Sequence, residues 1–479
     1  MDTSSPIALV KTMIPKMPLV GKTALMHSLG MSEHCHYWDL RTEVTVNVLR
    51  SFTCGEPQPI SRTQRVTLQD PGIKGKMWVS KAALVAPEEN DVRQKLFQAI
   101  EEMKEPGEPQ GGFTEPKLVP VEAEWTGYRA GATGKSVPLK IPEPQQYEEM
   151  MKEVTTPVTI LYIHGGAHWM LDPATYRDAC KKLAKLCGGR VLSLRYRLAP
   201  QNPFPAGLLD CLVAYLNLLY PPPGSFHAPV SASHIVFSGD SAGGNLSLAL
   251  LQLLLHFQRT NTTITWNGQA HKVPLPAGLA LNSPWADITC SSPSHESNSK
   301  YDYIPPPSFA PNGMTFPPCS IWPTDPPRSN IYVEDALICH PLVSPLSAKS
   351  WAGAPPMHII TGQELLADED KTIASKAARQ GVVVRYEEYE AMPHCFALLL
   401  AGLGGTRRCF TAWGKFCREV VMEREGMETT GVRIGAKTLK EEVVDVRGLW
   451  KESDDVVMGR MREKARVLGG KAGNEMAKL

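Results

Sequence analysis

Five residues, Gly239-Asp240-Ser241-Ala242-Gly243, carry the strongest chemical signal in this chain. They follow the apolar run Ile235-Val236-Phe237 and precede a helix-like stretch over 245–257, which places a serine on a sharp strand-to-helix turn. Only small neighbours fit such a turn. Gly239 and Gly243 let the two elements approach, and Ala242 leaves the backbone beside the serine uncovered. A serine hydroxyl is a weak nucleophile alone. Acyl transfer through it needs a base, an acid that orients the base, and N–H donors for the developing oxyanion.

The chain offers each partner. Residues 158–163 read as a short buried strand ending in His164-Gly165-Gly166-Ala167, a glycine-rich loop that presents bare backbone N–H groups. Ala167 adds a methyl toward the acyl side of the site but removes no N–H. The expected base is His394, in Met392-Pro393-His394-Cys395-Phe396, after a predicted strand over 382–386. Among 13 histidines, position selects it, because it completes the chain order serine, acid, histidine. The acid is marked less sharply. A predicted strand over 357–362 leads into four carboxylates in seven residues, Glu364, Asp368, Glu369 and Asp370. The last three suit the first turn of a helix, where the dipole favours negative charge. Glu364 lies nearest the strand end, within reach of the histidine, and is the expected acid; Asp368 is the alternative.

The elements that must position these residues alternate. Strands are predicted at 158–163, 191–195, 234–238, 277–282, 357–361 and 382–388, and helices at 174–187, 206–219, 242–258, 366–380 and 396–421. That alternation predicts a mostly parallel sheet covered on both faces, with the site at the carboxyl ends of the strands. Residues 119–128 and 136–141 read as the opening strands, and 90–104 as an amphipathic helix. Nine prolines fall between Pro305 and Pro327, in a connection too long to be idle.

Taken together, His164-Gly165-Gly166, Tyr196-Arg197-Leu198-Ala199-Pro200, Gly239 to Asn245, Ser283-Pro284-Trp285 and Pro393-His394 resemble the hormone-sensitive-lipase-like branch of the α/β-hydrolase superfamily, over about residues 158–400. The resemblance implies an α/β-hydrolase fold and a carboxylesterase or deacetylase activity. It implies Ser241 as nucleophile, His394 as base, Glu364 as acid, and the N–H groups of Gly165, Gly166 and Ala242 as the oxyanion hole. It also implies a cap. We therefore expect a cap segment at 1–115, a catalytic domain at 116–425 with a proline-rich cap insertion at 286–339, and a charged appendage at 426–479. Gln201 departs from the family pattern, which has glutamate there. Trp169 is either a wall of the pocket or a packing residue. Two other readings use the same scaffold: a condensation or cyclisation enzyme of secondary metabolism, and a receptor-like ligand-binding protein. His394 argues against the receptor.

Composition bounds the partners. A net charge of +1, with no basic stripe, gives no case for nucleic acid. Eleven cysteines without CxxC or CxxH spacing predict free thiols, not a disulfide framework or a metal site, and no cofactor is expected. No stretch reaches the roughly 20 apolar residues of a membrane span. Residues 1–30 mix Lys11, Lys16 and Lys22 with short apolar runs broken by Pro15 and Pro18; they read either as a membrane-surface helix or, as expected here, as part of a packed lid. The expected partner is a small-molecule ester, such as an acetylated secondary metabolite or a sterol ester. Ala477-Lys478-Leu479 is similar to a peroxisomal address read by an import receptor; without it a cytoplasmic location is expected.

Overall fold

The computed structural model describes residues 14–105, 111–310 and 314–476; Ala477-Lys478-Leu479 lies outside them. In chain order the strands are β1 (Met77–Leu84), β2 (Val121–Tyr128), β3 (Thr159–Ile163), β4 (Arg190–Arg195), β5 (Ile235–Asp240), β6 (Ile264–Trp266), β7 (Gln269–His271), β8 (Gly278–Asn282), β9 (Met357–Gly362), β10 (Val384–Tyr389), β11 (Thr430–Ile434) and β12 (Glu441–Val443). β6 and β7 form a separate hairpin; the others join one sheet ordered β1-β2-β4-β3-β5-β8-β9-β10-β11-β12. From β4 to β11 every neighbouring pair is parallel. β2 is antiparallel to both its neighbours, and β12 to β11.

Side-chain alternation explains why the central strands read as unbroken apolar runs. In β3, Leu161 and Ile163 join one core while Ile160 and Tyr162 join the other. In β5, Ile235 and Phe237 face the first core and Val236 the second. Helices Ala206–Leu219 and Ser241–Arg259 contribute to the first core, and Pro173–Cys187 and Gly404–Met422 to the second. Helix Pro173–Cys187 shows how sequence sets an element's limits. The Asp172 carboxylate caps it by accepting from Ala174 N at 2.9 Å, Pro173 opens it, and Gly188 ends it at φ 74°. With β3 wholly buried, Leu161→Ala is expected to cost about 2–5 kcal/mol.

The sheet is wider than the sequence suggested. Residues 136–141 form no strand; Pro138 interrupts them and supplies no N–H for a ladder. The edge is instead taken by β1, from the segment expected to be cap alone, paired with β2 over eight residues. Beyond residue 426, β11 and β12 extend the other edge. The helix expected over 396–421 divides into Phe396–Leu399 and Gly404–Met422, parted at Gly402 with φ 96°.

Before β1, helices Met17–Ser28, Leu40–Thr53 and Ile60–Thr67 form the N-terminal segment. Among the described residues of 286–339 the helical elements are all short turns. These two regions grip each other. The Arg50 guanidinium donates to the carbonyls of Ser299, Lys300 and Asp302, and Thr53 Oγ1 to the carbonyl of Tyr303.

Candidate active site

Ser241 stands at the junction of β5 and helix Ser241–Arg259 with φ 50°, the left-handed strain of a nucleophile elbow. The close approach requires glycine on both sides. A Cβ at Gly239 would come within 2.6 Å of the Ile163 carbonyl oxygen, and one at Gly243 would fall onto that same oxygen. Two main-chain bonds fix the turn: Ser241 N donates to Ser283 O at 3.1 Å, and Trp285 N to Ser241 O at 3.0 Å.

His394 and Glu364 meet below it. His394 follows β10, and its Nδ1 pairs with Glu364 Oε2 in a wholly buried contact. The other carboxylate oxygen, Oε1, accepts from Ser283 Oγ, from Thr361 Oγ1 at 3.1 Å and from Gly362 N at 3.1 Å. Burial works against the imidazolium of His394, but the Glu364 carboxylate, with Asp302 and Asp240 nearby, outweighs it and raises the pKa. Among the described residues no hydrogen bond joins Ser241 Oγ to His394. Its Nε2 faces Cys395 Sγ at 3.4 Å instead. Such bonds commonly tighten only when substrate is bound. Asp368, the alternative acid, accepts from Ser294 N at 2.9 Å and approaches Lys371 at 3.7 Å. It lines a polar cavity of about 320 Å³ with Lys371, Glu388 and Arg433 and makes no bond to His394.

Ser283 links these separate stretches. Its carbonyl holds Ser241 N, and its hydroxyl bonds Glu364 and accepts from Cys395 N at 3.2 Å. The sequence flagged Ser283 only as part of a motif. Asp302, in the proline-rich insertion, went unnoticed. Its buried carboxylate accepts from Leu365 N at 3.1 Å and His394 N at 3.3 Å, and so spans the loops that carry acid and base. Burial, then the neighbouring Glu364 charge, raises its pKa. No local pattern marks an aspartate 62 positions before the acid as a bridge; only its place, just after Asn298 whose amide donates to the Glu364 carbonyl at 2.9 Å, reveals it.

The oxyanion side departs from expectation at one residue. Gly165 N donates to Asp240 Oδ1 at 3.2 Å, where Tyr162 and Tyr176 also donate to the same carboxylate, at 2.8 and 3.0 Å. Burial pushes the Asp240 carboxyl up to about 6. The N–H groups of Gly166, Ala167 and Ala242 have no partner among the described residues. Ala242 lies in the first turn of its helix, where N–H groups are unpaired and the dipole favours an anion. Gly166, Ala167 and His168 have φ of 105°, 52° and 66°, which turns the loop back on itself.

Both N-terminal segment and insertion border this loop. His168 stacks on Tyr332 with ring centroids 3.6 Å apart, and burial holds its pKa down to about 3, so it is neutral. Trp169 meets Phe316 edge-on at 5.6 Å and packs against the first core. Gln64 Nε2 donates to the carbonyls of Trp169 and Ala199 at 2.9 and 2.8 Å. Gln201 in turn donates to Gln64 Oε1 at 2.8 Å, so at the position where the family pattern has glutamate a neutral amide pair ties the N-terminal segment to the site.

Comparison with known proteins agrees with this architecture. A family described as the alpha/beta hydrolase fold matches residues 160–398. An acetyl-hydrolase of Streptomyces hygroscopicus is 30% identical over 269 residues, 55% of this chain and 77% of that protein. An esterase of Acinetobacter venetianus is 28% identical over 255 residues, 53% of this chain and 72% of its own. A crystal structure of an esterase from the bacterial hormone-sensitive lipase family superposes with a TM-score of 0.52 at 21% identity, covering 80% of this chain and 99% of that one. The chain belongs to the α/β-hydrolase fold family, among its acetyl-hydrolases and esterases.

Proposed function

We propose that this protein hydrolyses carboxylic esters through an acyl-enzyme on Ser241. His394 takes the Ser241 proton as the hydroxyl attacks the ester carbonyl, while Glu364 holds the imidazole with its Nε2 free to accept and stabilises the charged form. The oxyanion is received by the N–H groups of Gly166, Ala167 and Ala242; each such donor typically contributes about 10²–10³ in rate. Gly165, expected among them, acts one step back by fixing the loop to Asp240. The alcohol leaves with the proton from His394. Water, activated by the same imidazole, then releases the acid.

The observation that carries this reading is the Glu364–His394 pair, buried and joined through Ser283 to the Ser241 turn. A receptor on this scaffold has no need of such a pair. Stopped-flow hydrolysis of p-nitrophenyl acetate tests it. The esterase reading expects a burst of one nitrophenol per chain followed by turnover, and neither in Ser241→Ala. A wild-type chain that shows no burst and no turnover with any short ester would favour the receptor.

For the substrate we propose a short acyl group, acetyl foremost, on a bulky apolar alcohol such as a secondary metabolite or a sterol. The acetyl-hydrolase relative and the Ala167 methyl in the oxyanion loop support the short acyl group. The paired N-terminal segment and insertion beside the loop support the bulky alcohol. A fall in kcat/KM from acetate to octanoate esters checks the first. Peroxisomal delivery rests on Ala477-Lys478-Leu479 alone, and imaging of the chain with and without that tripeptide tests it.

A further inference from the structure

The first described α-helix, Met17–Ser28, turns much of its apolar surface outward. Helix Met17–Ser28 packs on helix Leu40–Thr53 through polar groups: His27 Nδ1 meets Glu43 Oε2 at 2.5 Å, Asn47 donates to Thr23 Oγ1 at 3.3 Å, and just before the helix Lys16 Nζ donates to Ser51 O at 3.2 Å. Thr23 is its buried residue. Leu19, Val20, Ala24 and Met26 are half-buried, but a second set of apolar residues points away. Ile14, Met17, Leu25, Leu29 and Met31 are each between 58% and 64% exposed, and a Cβ added at Gly21 would meet nothing. Met17, Gly21 and Leu25, spaced by four, lie along one stripe, and Leu29 continues it. Contiguous apolar surface of this kind marks an interaction site.

Charge identifies the occupant. Residues 3–32 contain Lys11, Lys16 and Lys22 and no Asp or Glu, in a chain whose net charge is only +1. Lys22 is exposed beside the apolar stripe. A second copy packed helix against helix on this face would bring Lys22 toward Lys22 with no acid in the helix to answer it. An anionic lipid surface answers both features: it takes the apolar side chains at the headgroup boundary and the Lys22 ammonium among its phosphates and carboxylates, while Lys16 stays turned to the Ser51 carbonyl and the Phe52 ring. Twelve residues are too few to span a bilayer, and no described helix is long and apolar enough to cross one. We propose that helix Met17–Ser28 and its flanks dock this protein, lying flat, onto an anionic lipid surface.

Co-sedimentation of the full chain with phosphatidylcholine vesicles, with and without phosphatidylserine, tests this, alongside p-nitrophenyl acetate hydrolysis as a control for folding. The wild type should sediment with the phosphatidylserine vesicles and weakly with phosphatidylcholine alone. Leu25→Asp/Leu29→Asp should lose at least about tenfold in partitioning, and Lys22→Glu about fivefold on the anionic vesicles, with ester hydrolysis unchanged in both. Equal partitioning of wild type and Leu25→Asp/Leu29→Asp would overturn the proposal. So would a wild type that fails to sediment but elutes as a dimer that this double variant splits, which assigns the face to a second copy. Binding that appears only when residues 1–13 are removed would overturn it too, since the chain itself would then cover the face.

Discussion

Replacing Glu364 by glutamine keeps the size of the side chain and changes one atom, yet the surroundings dictate a large kinetic effect. An amide has one accepting oxygen and one donating nitrogen, and Glu364 has two accepting positions to fill. Oε1 receives the Ser283 hydroxyl, the Thr361 hydroxyl and the Gly362 N–H. Hydroxyls can rotate, but a main-chain N–H cannot, so the amide oxygen is held on that side. The NH₂ is then left facing His394 Nδ1, where it donates. His394 is driven into the tautomer with its proton on Nε2, the atom that must accept from Ser241. Presenting the base in the wrong tautomer costs about 10⁴ in kcat, or about 5.5 kcal/mol at 1.36 kcal/mol per decade. The assay is p-nitrophenyl acetate turnover by the wild type, Glu364→Gln and Asp368→Asn, with thermal unfolding to verify that each variant is folded. Asp368→Asn should fall by less than about tenfold, since its partners are Ser294 and Lys371. A folded Glu364→Gln within tenfold of wild type, or a larger loss at Asp368, would refute the reasoning.

Three further outcomes follow from the same geometry. His394 accepts the Ser241 proton only when neutral, and its pKa is raised, so kcat/KM should climb with pH through an apparent pKa above the ordinary 6.5; a limb at or below 6.5 contradicts the Glu364 pairing. Asp302→Asn should lower kcat roughly tenfold by weakening the grip on His394 N and Leu365 N. It should also move the acid limb to lower pH, because the Asp302 charge helps raise the pKa of His394; a loss of kcat with an unmoved limb would reduce Asp302 to a purely structural part. Cys395 stands at φ 50° with its thiol near His394 Nε2, so Cys395→Gly relieves the backbone and removes a competitor for the imidazole. Its kcat should equal or exceed that of wild type, and a drop beyond about tenfold would give the thiol a role in catalysis.

Much of the site was legible because the chemistry is confined to strand ends. Apolar runs such as 158–163 and 234–238 announced buried parallel strands, and a glycine-flanked serine after one of them has few other uses. Glu364 was separable from Asp368 by distance from the end of β9. What could not be read were bonds closed by tertiary approach. Asp302 sits in a proline-rich stretch without periodicity, and its value appears only when two distant loops converge on it. Gly165 looked like an oxyanion donor because the sequence gives no sign that the Asp240 side chain turns back to hold its N–H. β1 escaped notice because an edge strand with an exposed Lys81 lacks the continuous apolar run of a central one. Residues 1–30 read either as a lid or as a membrane-surface helix, and only the packing shows that Met17, Leu25 and Leu29 face out.

Mapping the adduct of a fluorophosphonate is the most direct measurement of the central claim, that serine, imidazole and main-chain amides surround one point. Intact-mass and peptide analysis should find a single phosphonyl group, on Ser241, formed rapidly in the wild type, slowly in His394→Ala and not at all in Ser241→Ala. An adduct elsewhere, or labelling of Ser241→Ala at the wild-type rate, would contradict the account.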